Sequence, residues 1–406
     1  MRILIVTQYF PPERGAVRRL FEFAKIFRSA GHDVTVLTAM PNYPDGCLPE
    51  RYRGRFFVRE KLDGIDVARS FVLPAANSQP RKRMLGFITF LISAFLNSFR
   101  LRGRYDMIIA SSPPVTTAVV GYLISRVRHM KFVLEIRDLQ PESGVQFGNL
   151  DESLFTRIVR GVMNFIYRRA DHIVCVTDGI NEFLKTSGVP GQRLTTIKSG
   201  VGDDFIFGHS NGIRRKYGWE DKFLVIYSGT LGWVRPLETV IESARLLADR
   251  DDIHFVFVGD GQKREELEVL SRNYRLENVT FTGLQPLENI PYFLRASDVL
   301  VECLKEVDVA RLAVPSKMYE YMASGKPIVI GCPEGEATAL LREAGGALTF
   351  PGSDAPRLAE LILELRNGKL DGEELGQSYH AFIKNNHSRS HWAGKYLGLL
   401  NSLRKN

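Results

Sequence analysis

The sequence has few cysteines and no long apolar run. Its four cysteines lie far apart in 406 residues, and none forms a C-x-x-C pair. We therefore predict neither a disulfide framework nor a zinc knuckle, and a reducing compartment fits the chain. The apolar run at 84–96 has 13 residues, whereas roughly 20 are needed to cross a bilayer. The short N-terminal run is broken by Thr7 and Gln8, so it predicts a buried strand rather than a signal peptide.

Acidic residues are scarce in the first half of the chain. Residues 1–200 hold 29 Lys and Arg against 17 Asp and Glu, a net charge of +12, whereas the remainder carries −4. A basic surface attracts polyanions, which include nucleic acid, anionic lipid and phosphorylated substrates. A chance imbalance in a globular protein is the alternative.

Short apolar runs alternate with amphipathic stretches over nearly the whole chain. The runs RILIV, DVTVLTA, MIIASS, FVLEIRD and HIVCVT predict strands, and VRRLFEFAKIFRSAGH predicts a helix between two of them. A polar break covers 205–222, and the rhythm then returns with FLVIYSG, HFVFVGDG, VTFTG, DVLVECL and KPIVIGC. We therefore predict an α/β protein with two doubly wound, Rossmann-like domains, 1–205 and 206–389, and a C-terminal helix, 390–406, that packs on the first.

Residues that follow strands are candidate site residues, because ligands bind at the carboxyl ends of strands in such sheets. Gly15 stands where the first helix is expected to begin, and a glycine there lets a backbone N–H approach a phosphate. In YSGTLGWVRPL, Gly229 and Gly232 frame a loop, and Arg235 is expected to begin the next helix, where its guanidinium suits a diphosphate. An ordinary turn and a solvated arginine are the alternatives. No G-x-G-x-x-G occurs, which argues against a dinucleotide dehydrogenase.

Two further strand exits carry glycines. Gly259 follows the run HFVFV, and Thr282 with Gly283 ends the run VTFTG. Gly283 lets the chain pass close to a flat group such as a base, and Gly259 lies at a strand–turn–helix junction near the same edge. Tight turns without a ligand are the alternative.

The segment VPSKMYEYMASG places one acid in an otherwise apolar helix. Pro315 suits the first helical position, and the N–H groups of Ser316 and Lys317 then point outward as anion donors. Glu320 lies about one turn further on, where a carboxylate can accept two hydrogen bonds from a ribose diol. A glutamate that only favours the helix dipole is the alternative.

The order of these motifs resembles that of the nucleotide-sugar glycosyltransferases of family 4, which have the GT-B fold. The matching stretches cover almost the whole chain, among them GHDVTVLTAMPNYPDG, SSPPVTTAVVG, EIRDLQPES, RRADHIVCVTDGINEFL, SGTLGWVRPLETVIESARLL, FVGDGQKREELE and SKMYEYMASGKPIVI. PNYPDG and RDLQPES look like the branch that builds bacterial surface polysaccharides, lipopolysaccharide and O-antigens, often with N-acetylated deoxyaminosugars of the FucNAc type. The resemblance implies a retaining transferase that moves such a sugar from a UDP-sugar to a polyprenyl-diphosphate-linked saccharide.

The resemblance also implies roles for single residues. Glu320 matches the second acid of the family's E-x7-E pattern, which holds the donor ribose, and Arg235 matches a lysine that contacts the diphosphate. Asp138 matches a polar position on the acceptor side of a cleft between the domains. The implied mechanism is front-face substitution, in which Arg235 and the N–H groups of Ser316 and Lys317 stabilise the departing phosphate. Asp138 would orient the acceptor hydroxyl or receive its proton.

Two of the chain's departures from the family pattern concern the binding of the donor. Leu312 stands where the first acid is expected, so Glu306, Asp308 and Arg311 are candidates to hold the donor sugar. Thr230 replaces a basic residue that follows the strand glycine. No D-x-D pair follows a strand at the expected site, and arginine plus a helix dipole can serve instead of a metal. We therefore predict no metal and no cofactor.

The stretch 81–104 combines an apolar helix with basic ends. It is too short to span a bilayer, so we predict an interfacial helix on an anionic membrane surface. The predicted membrane contacts are Arg81, Lys82, Arg83, Met84, Leu85 and Phe87. A lipid-linked acceptor would explain this helix and the basic half, and would place the protein on the cytoplasmic face of the inner membrane. A buried helix with solvated charged ends is the alternative.

Two other functions compete with this interpretation. A UDP-sugar 2-epimerase shares the implied fold, and a nucleic-acid-binding protein would use the basic half. Against the latter, the basic residues lack interleaved aromatic stacking motifs and fall on separate elements. UDP is favoured over GDP or ADP only through the family branch, and the sequence does not predict the oligomeric state.

Overall fold

The computed structural model describes residues 1–13, 17–76, 79–207 and 212–405. Contacts divide the chain into two units, of which unit 1 is Met1–Ser199 with Arg389–Asn406 and unit 2 is Gly200–Ser388. The division after Ser199 lies a few residues before the predicted boundary at 205. The second division, after Ser388, lies one residue before the predicted boundary at 389.

The described residues form fourteen strands and seventeen α-helices. The strands are β1 Arg2–Thr7, β2 Asp33–Ala39, β3 Phe57–Leu62, β4 Ile65–Ser70, β5 Met107–Ser112, β6 Lys131–Ile136, β7 His172–Cys175, β8 Leu194–Thr196, β9 Phe223–Ser228, β10 Ile253–Val258, β11 Val279–Gly283, β12 Val299–Cys303, β13 Ile328–Gly331 and β14 Leu348–Phe350. The helices are α1 Arg18–Ser29, α2 Pro80–Ser98, α3 Val115–Val127, α4 Glu142–Gln146, α5 Leu154–Arg169, α6 Asp178–Thr186, α7 Asp203–Phe207, α8 Ile213–Tyr217, α9 Glu238–Leu246, α10 Arg264–Asn273, α11 Ile290–Ala296, α12 Asp308–Arg311, α13 Ser316–Ala323, α14 Glu336–Glu343, α15 Ala355–Arg366, α16 Gly372–Asn386 and α17 Arg389–Lys405.

Unit 1 is built on an eight-stranded sheet in the order β3-β4-β2-β1-β5-β6-β7-β8. All its neighbouring strands are parallel except β3 and β4, which form an antiparallel hairpin. The central strands β1, β5 and β6 are buried almost throughout. A strand covered by helices on both faces needs a continuous apolar run, which explains the short apolar runs of the sequence.

The helix α17 packs against α1 and completes the core of unit 1. The ring of Tyr396 meets the rings of Phe23 and Phe27 at centroid distances of 6.1 and 5.7 Å. Trp392 and Leu400 join the same buried cluster. Buried positions at 389, 392, 393, 396 and 400 form the stripe of an amphipathic helix.

Unit 2 is built on a six-stranded parallel sheet in the order β11-β10-β9-β12-β13-β14. From β9 the chain proceeds outward through β10 to β11 and then returns to the other side of β9 with β12. The strand order therefore reverses between β9 and β12, and ligands of such sheets bind outside the carboxyl ends of the strands at this point. The predicted fold class, two Rossmann-like α/β domains, is confirmed.

Candidate functional site

The end of β9 is fixed to helix α13 by one tyrosine. The hydroxyl of Tyr321 accepts a hydrogen bond from the Ser228 N–H at 2.7 Å and donates one to the Ser228 carbonyl at 3.0 Å. Tyr321 itself is fully buried. Helix α13 is therefore held at the carboxyl end of β9, on the reversal point of the sheet.

A tight turn follows β9 and packs on the exit of β10. The Gly229 N–H donates to the Val258 carbonyl at 2.8 Å, and the Tyr227 hydroxyl donates to the Thr230 carbonyl at 2.8 Å. A Cβ at Gly259, which has φ +145°, would lie 2.0 Å from the Gly229 carbonyl oxygen. Backbone packing alone therefore requires glycine at 259.

The predicted residues at the exit of β11 lie beside Gly259. The Gly259 N–H donates to the Gly283 carbonyl at 3.0 Å. The Thr282 hydroxyl donates to the Phe257 carbonyl at 3.3 Å. Gly229, Gly259 and Gly283 thus line one edge of the sheet as predicted, while the Thr282 hydroxyl is engaged within the sheet.

Two cations share one buried carboxylate at the reversal point. Glu302 on β12 is fully buried, and its side chain forms an ion pair with Arg235. The Lys317 Nζ lies 2.8 Å from the Glu302 Oε2. Arg235 also donates to the Cys303 carbonyl at 3.3 Å. Because two positive charges face one negative charge, the cluster has an excess positive charge that an anion would neutralise.

The expectation that Arg235 begins a helix is wrong. Arg235 lies in a bend, where its N–H donates a hydrogen bond to the Gly232 carbonyl at 3.0 Å. Helix α9 begins three residues later, at Glu238. The pairing with Glu302 holds the guanidinium beside the strand ends without a helix.

Helix α13 places the remaining predicted donor residues next to this cluster. Its N-cap, Pro315, contributes no side-chain hydrogen bond, and Ser316 is exposed. Glu320 is half-buried between the buried Tyr319 and Tyr321. Lys317 and Glu320 are three residues apart, so their side chains lie on the same side of the helix. Free N–H groups of a first helical turn favour an anion.

The three candidates for the donor sugar lie between β12 and α13. The Glu306 Oε1 accepts a hydrogen bond from the Gly352 N–H at 2.9 Å. Asp308 and Arg311 are exposed and lie 3.5 Å apart in an ion pair. Arg311 also donates to the Glu334 carbonyl at 3.3 Å. Glu306 is therefore tied to a neighbouring loop, and the other two form a surface pair.

Asp138 lies in unit 1, directly after β6. The Ser143 hydroxyl donates to the Asp138 Oδ1. Burial raises the pKa of Asp138 above its ordinary value, although the hydrogen bond from Ser143 and the N–H of Leu139 act in the opposite direction. A carboxylate with a raised pKa is a stronger base, which suits proton transfer from a hydroxyl.

Glu13 is a buried acid of unit 1 that the sequence analysis did not single out. Its Oε1 accepts hydrogen bonds from the N–H groups of Asn42 at 2.9 Å and Tyr43 at 3.0 Å, and its Oε2 accepts one from Phe10 at 3.2 Å. Burial raises the pKa of Glu13 to about 7. It anchors the PNYPDG loop to the end of β1. Gly15, the predicted phosphate glycine nearby, lies outside the described residues.

Helix α2 has one buried and one exposed face. The apolar side chains of Leu85, Ile88, Ile92 and Leu96 are 44 to 53% exposed and recur at helical spacing. Of the predicted membrane contacts, Arg81, Lys82 and Leu85 are exposed, whereas Arg83, Met84 and Phe87 are half-buried. Among the described residues, no helix is both long and apolar enough to cross a membrane.

The exposed apolar surface continues beyond α2. Helix α3 packs against both α2 and α5, and the rings of Tyr122 and Phe165 meet at 5.5 Å between α3 and α5. Exposed apolar side chains on these two helices are Leu123, Val127, Leu154, Phe155, Ile158, Val162 and Phe165. We call the exposed apolar side chains of α2, α3 and α5 the apolar face of unit 1.

The carboxylate at the centre of the cluster was missed by the sequence analysis. Glu302 is the acid in the strand run DVLVECL, and Lys317 was considered only for its backbone N–H. An acid in a strand buried on both faces must have a partner, because an unpaired buried charge is too costly. That rule could have identified Glu302 as a paired acid, but it does not predict which cations pair with it.

Comparisons with known proteins agree with the fold. A model described as glycosyl transferase 4-like domain matches residues 14–200, and one described as glycosyl transferases group 1 matches residues 210–389. Together they span about nine tenths of the chain.

Relatives and solved structures match the chain over most of its length. A protein named probable glycosyltransferase WbjE, from Pseudomonas aeruginosa, is 26% identical over 74% of this chain and 75% of its own. WcaI of Escherichia coli strain K12, whose name places it in colanic acid biosynthesis, is 25% identical over 87% of both chains. Anabaena HepE, solved with UDP and glucose, aligns with a TM-score of 0.74 and 17% identity over 99% of this chain and 100% of its own.

The solved structure shows the fold alone, whereas the two family models cover both units. The reversal point of unit 2 carries the charged cluster, and it lies within the residues that the group 1 model matches. The chain is therefore a GT-B glycosyltransferase with a glycosyl transferase 4-like N-terminal domain and a group 1 C-terminal domain.

Proposed function

We propose that the protein is a retaining glycosyltransferase that moves a sugar from a UDP-sugar to a polyprenyl-diphosphate-linked saccharide during surface polysaccharide synthesis. The observation that carries this proposal is the excess positive charge formed by Arg235, Lys317 and Glu302 at the sheet reversal point. A sugar nucleotide supplies the complementary diphosphate. The UDP bound by the structural neighbour HepE supports UDP as the nucleotide, and the resemblance to FucNAc-type transferases supports an N-acetylated deoxyaminosugar.

In the proposed reaction, the bond between the sugar C1 and the β-phosphate oxygen breaks, and its electron pair goes to the phosphate. Arg235 and the first N–H groups of α13, those of Ser316 and Lys317, would stabilise this charge, and removing one such donor costs about 3 kcal/mol of barrier. Glu320 would accept hydrogen bonds from the ribose. These groups would supply the charge stabilisation that a metal ion supplies elsewhere.

The acceptor hydroxyl forms the new bond to C1 on the face from which the phosphate leaves, and loses its proton. We assign Asp138 to orient this hydroxyl or to receive the proton. The raised pKa of Asp138 supports the assignment, because it makes the carboxylate a better base. Asp138→Asn should therefore reduce turnover by about 10²-fold or more while leaving the affinity for UDP unchanged.

The proposal is tested first by donor binding. We expect UDP to raise the melting temperature of the parent protein more than GDP or ADP, because binding to the folded state stabilises it. Glu320→Ala should lose most of this shift, since the ribose loses its acceptor. The measurement is thermal unfolding monitored by fluorescence.

Glu343→Ala, which removes an exposed acid of α14, is the matched control and should behave as the parent. An equal UDP shift in the parent and in Glu320→Ala would contradict the ribose assignment. Consumption of UDP-sugar without any lipid-linked acceptor would contradict transfer and favour a 2-epimerase.

We further propose that the apolar face of unit 1 rests on an anionic membrane at the cytoplasmic surface. Exposed apolar side chains lie beside Arg81 and Lys82 at one end of α2 and Arg100 at the other, all exposed. Apolar side chains can enter the boundary of the acyl chains while the arginines and lysine bind the headgroups. Monomeric proteins rarely expose so many neighbouring apolar side chains without a partner.

Flotation with liposomes tests this placement. The parent protein should float with vesicles that contain anionic lipid and much less with zwitterionic vesicles. The triple variant Leu85→Ser, Ile88→Ser and Ile92→Ser should remain in the bottom fraction, because it removes apolar area that the fold leaves exposed. Leu246→Ser, at an exposed leucine of unit 2, is the control. Equal flotation of the triple variant and the parent would refute the proposal.

A further inference from the structure

The ammonium of Lys317 occupies an unusual position for a lysine. It lies 2.8 Å from the Glu302 Oε2 and 3.9 Å from the centroid of the Tyr227 ring, and it is out of contact with water. A Cβ built at Gly229 would lie 2.7 Å from the Nζ. The positive charge of Lys317 therefore lies next to the turn that follows β9.

This charge is costly in the absence of a ligand. Glu302 can neutralise one cation, but Arg235 already pairs with it through the other oxygen. Burial lowers the pKa of Lys317 to about 8, although the charge of Glu302 acts to raise it. In the free protein the lysine therefore begins to lose its proton just above neutral pH.

The other titratable groups that face Lys317 come from β9, β12, α13 and the bend before α9. They are Tyr227, Glu302, Cys303, Tyr321 and Arg235. Burial raises the pKa of Tyr227, Tyr321 and Cys303. The two phenols and the thiol therefore stay neutral in the pH range in which Lys317 titrates.

We propose that the positive charge of Lys317 balances the negative charge of the donor in the donor site. Binding of a nucleoside diphosphate at the turn after β9 is therefore coupled to protonation of the Lys317 amine. This inference rests on the proposed function and specifies how the site recognises the donor. A diphosphate beside Gly229 supplies the negative charge that the cluster lacks, and the attraction is strong because the site has a low dielectric constant. Lys317 acts through its charge, as a positioning residue.

A substitution at Thr230 can separate the effect of the Lys317 charge from any structural effect of the Lys317 side chain. Its side chain is exposed and follows Gly229 directly. An arginine at 230 would place a permanent positive charge beside the same turn, and an arginine does not lose its proton near neutral pH. Lys317→Met together with Thr230→Arg should therefore restore binding without restoring its pH dependence.

Isothermal titration calorimetry with UDP tests the proposal. For the parent, the dissociation constant should rise about tenfold between pH 7 and pH 9, because only the protonated lysine matches the diphosphate. The phosphate groups of UDP do not change charge in this range, since the last phosphate pKa is about 6. At pH 8, binding should take up about half a proton per UDP, seen as a dependence of the binding heat on the buffer.

Three variants complete the experiment. Lys317→Met should bind UDP about tenfold more weakly at pH 7, with no proton uptake and no pH dependence. The double variant with Thr230→Arg should regain parent affinity at pH 7 and keep it at pH 9. Lys369→Met, at an exposed lysine of unit 2, should behave as the parent.

The outcomes separate this inference from the proposed function. A parent that binds none of UDP, GDP and ADP overturns both. A parent that binds UDP equally at pH 7 and pH 9, with the same affinity in Lys317→Met, overturns the role of Lys317 alone. In the absence of UDP, Lys317→Met should also melt no lower than the parent, because it leaves a balanced pair of Arg235 and Glu302. A markedly lower melting temperature would show that Lys317 stabilises the fold, and would overturn its role in binding.

Discussion

Glu302 has two cationic partners, and its removal should cost far more stability than the removal of either. Glu302→Gln leaves Arg235 and Lys317 buried next to each other without a counter-charge. We expect the free energy of unfolding to fall by about 3 to 5 kcal/mol, the usual cost of stranding a buried charge. Urea unfolding of the parent, Glu302→Gln and Lys317→Met measures the difference. A loss below about 1 kcal/mol in Glu302→Gln would mean that the cluster is solvated.

At this scale the sequence predicted residue types better than residue roles. Arg235, Lys317 and Glu320 were selected as donor residues, and the structure brings Arg235 and Lys317 together around one carboxylate. The pairing itself was hidden, because Arg235, Glu302 and Lys317 lie on different elements and meet only through the order of the strands. Glu306 shows the same limit, since nothing local in the sequence indicates its bond to the Gly352 N–H.

At the scale of elements, two glycines with open surroundings differ only in backbone conformation. Gly31 follows α1 with φ +83°, and Gly161 lies within α5, and no atom lies within 4 Å of a Cβ built at either. Gly31→Ala should cost about 1 kcal/mol, because an L-residue is strained at positive φ. Gly161→Ala should add about 0.5 to 1 kcal/mol of stability, because alanine favours the helix.

Chemical denaturation of both single variants measures these changes. The pair is its own control, since neither alanine meets a neighbouring atom and the two effects have opposite signs. Equal effects on stability at the two positions would contradict the assigned backbone conformations.

The elements that the sequence analysis missed are short or lie at the edge of a sheet. The strands β8 and β14 have three residues each, too few for a periodic pattern. The hairpin of β3 and β4 carried a local signal, because Asp63 and Gly64 form its two-residue turn with φ of 46° and 79°. An Asp-Gly pair between alternating residues is typical of such a turn, so this hairpin could have been predicted.

At the scale of the whole molecule, unit 1 depends on residues that follow unit 2 in the chain. A chain that ends at Ser388 lacks Trp392, Tyr396 and Leu400, each of which contributes about 1.5 to 3 kcal/mol when buried. This loss is comparable with the total stability of a domain. We expect unit 1 to melt at a clearly lower temperature and unit 2 to keep its transition.

Differential scanning calorimetry of the shortened chain checks this prediction. A chain that ends at Leu400 keeps the buried stripe of α17 and serves as the control. One unchanged transition in the chain that ends at Ser388 would show that α17 contributes little to unit 1.

The domain organisation was accessible from the sequence because two series of strand runs are separated by a polar break. The exact boundary was not, since the short helices α7 and α8, which lie beside or within this polar stretch, belong to unit 2 by their contacts. Composition marks where a chain becomes polar, whereas a domain boundary depends on which residues touch.

The return of α17 to unit 1 sets the order in which the protein can mature on the ribosome. At about 5 to 20 residues per second, the ribosome needs roughly 10 to 40 s to synthesise unit 2 after the first 199 residues have been translated. Throughout that interval the nascent N-terminal domain exposes Phe23 and Phe27, the aromatic side chains of α1 against which α17 packs. Chaperones should therefore associate with this domain until α17 has been synthesised, and release it only when α17 docks.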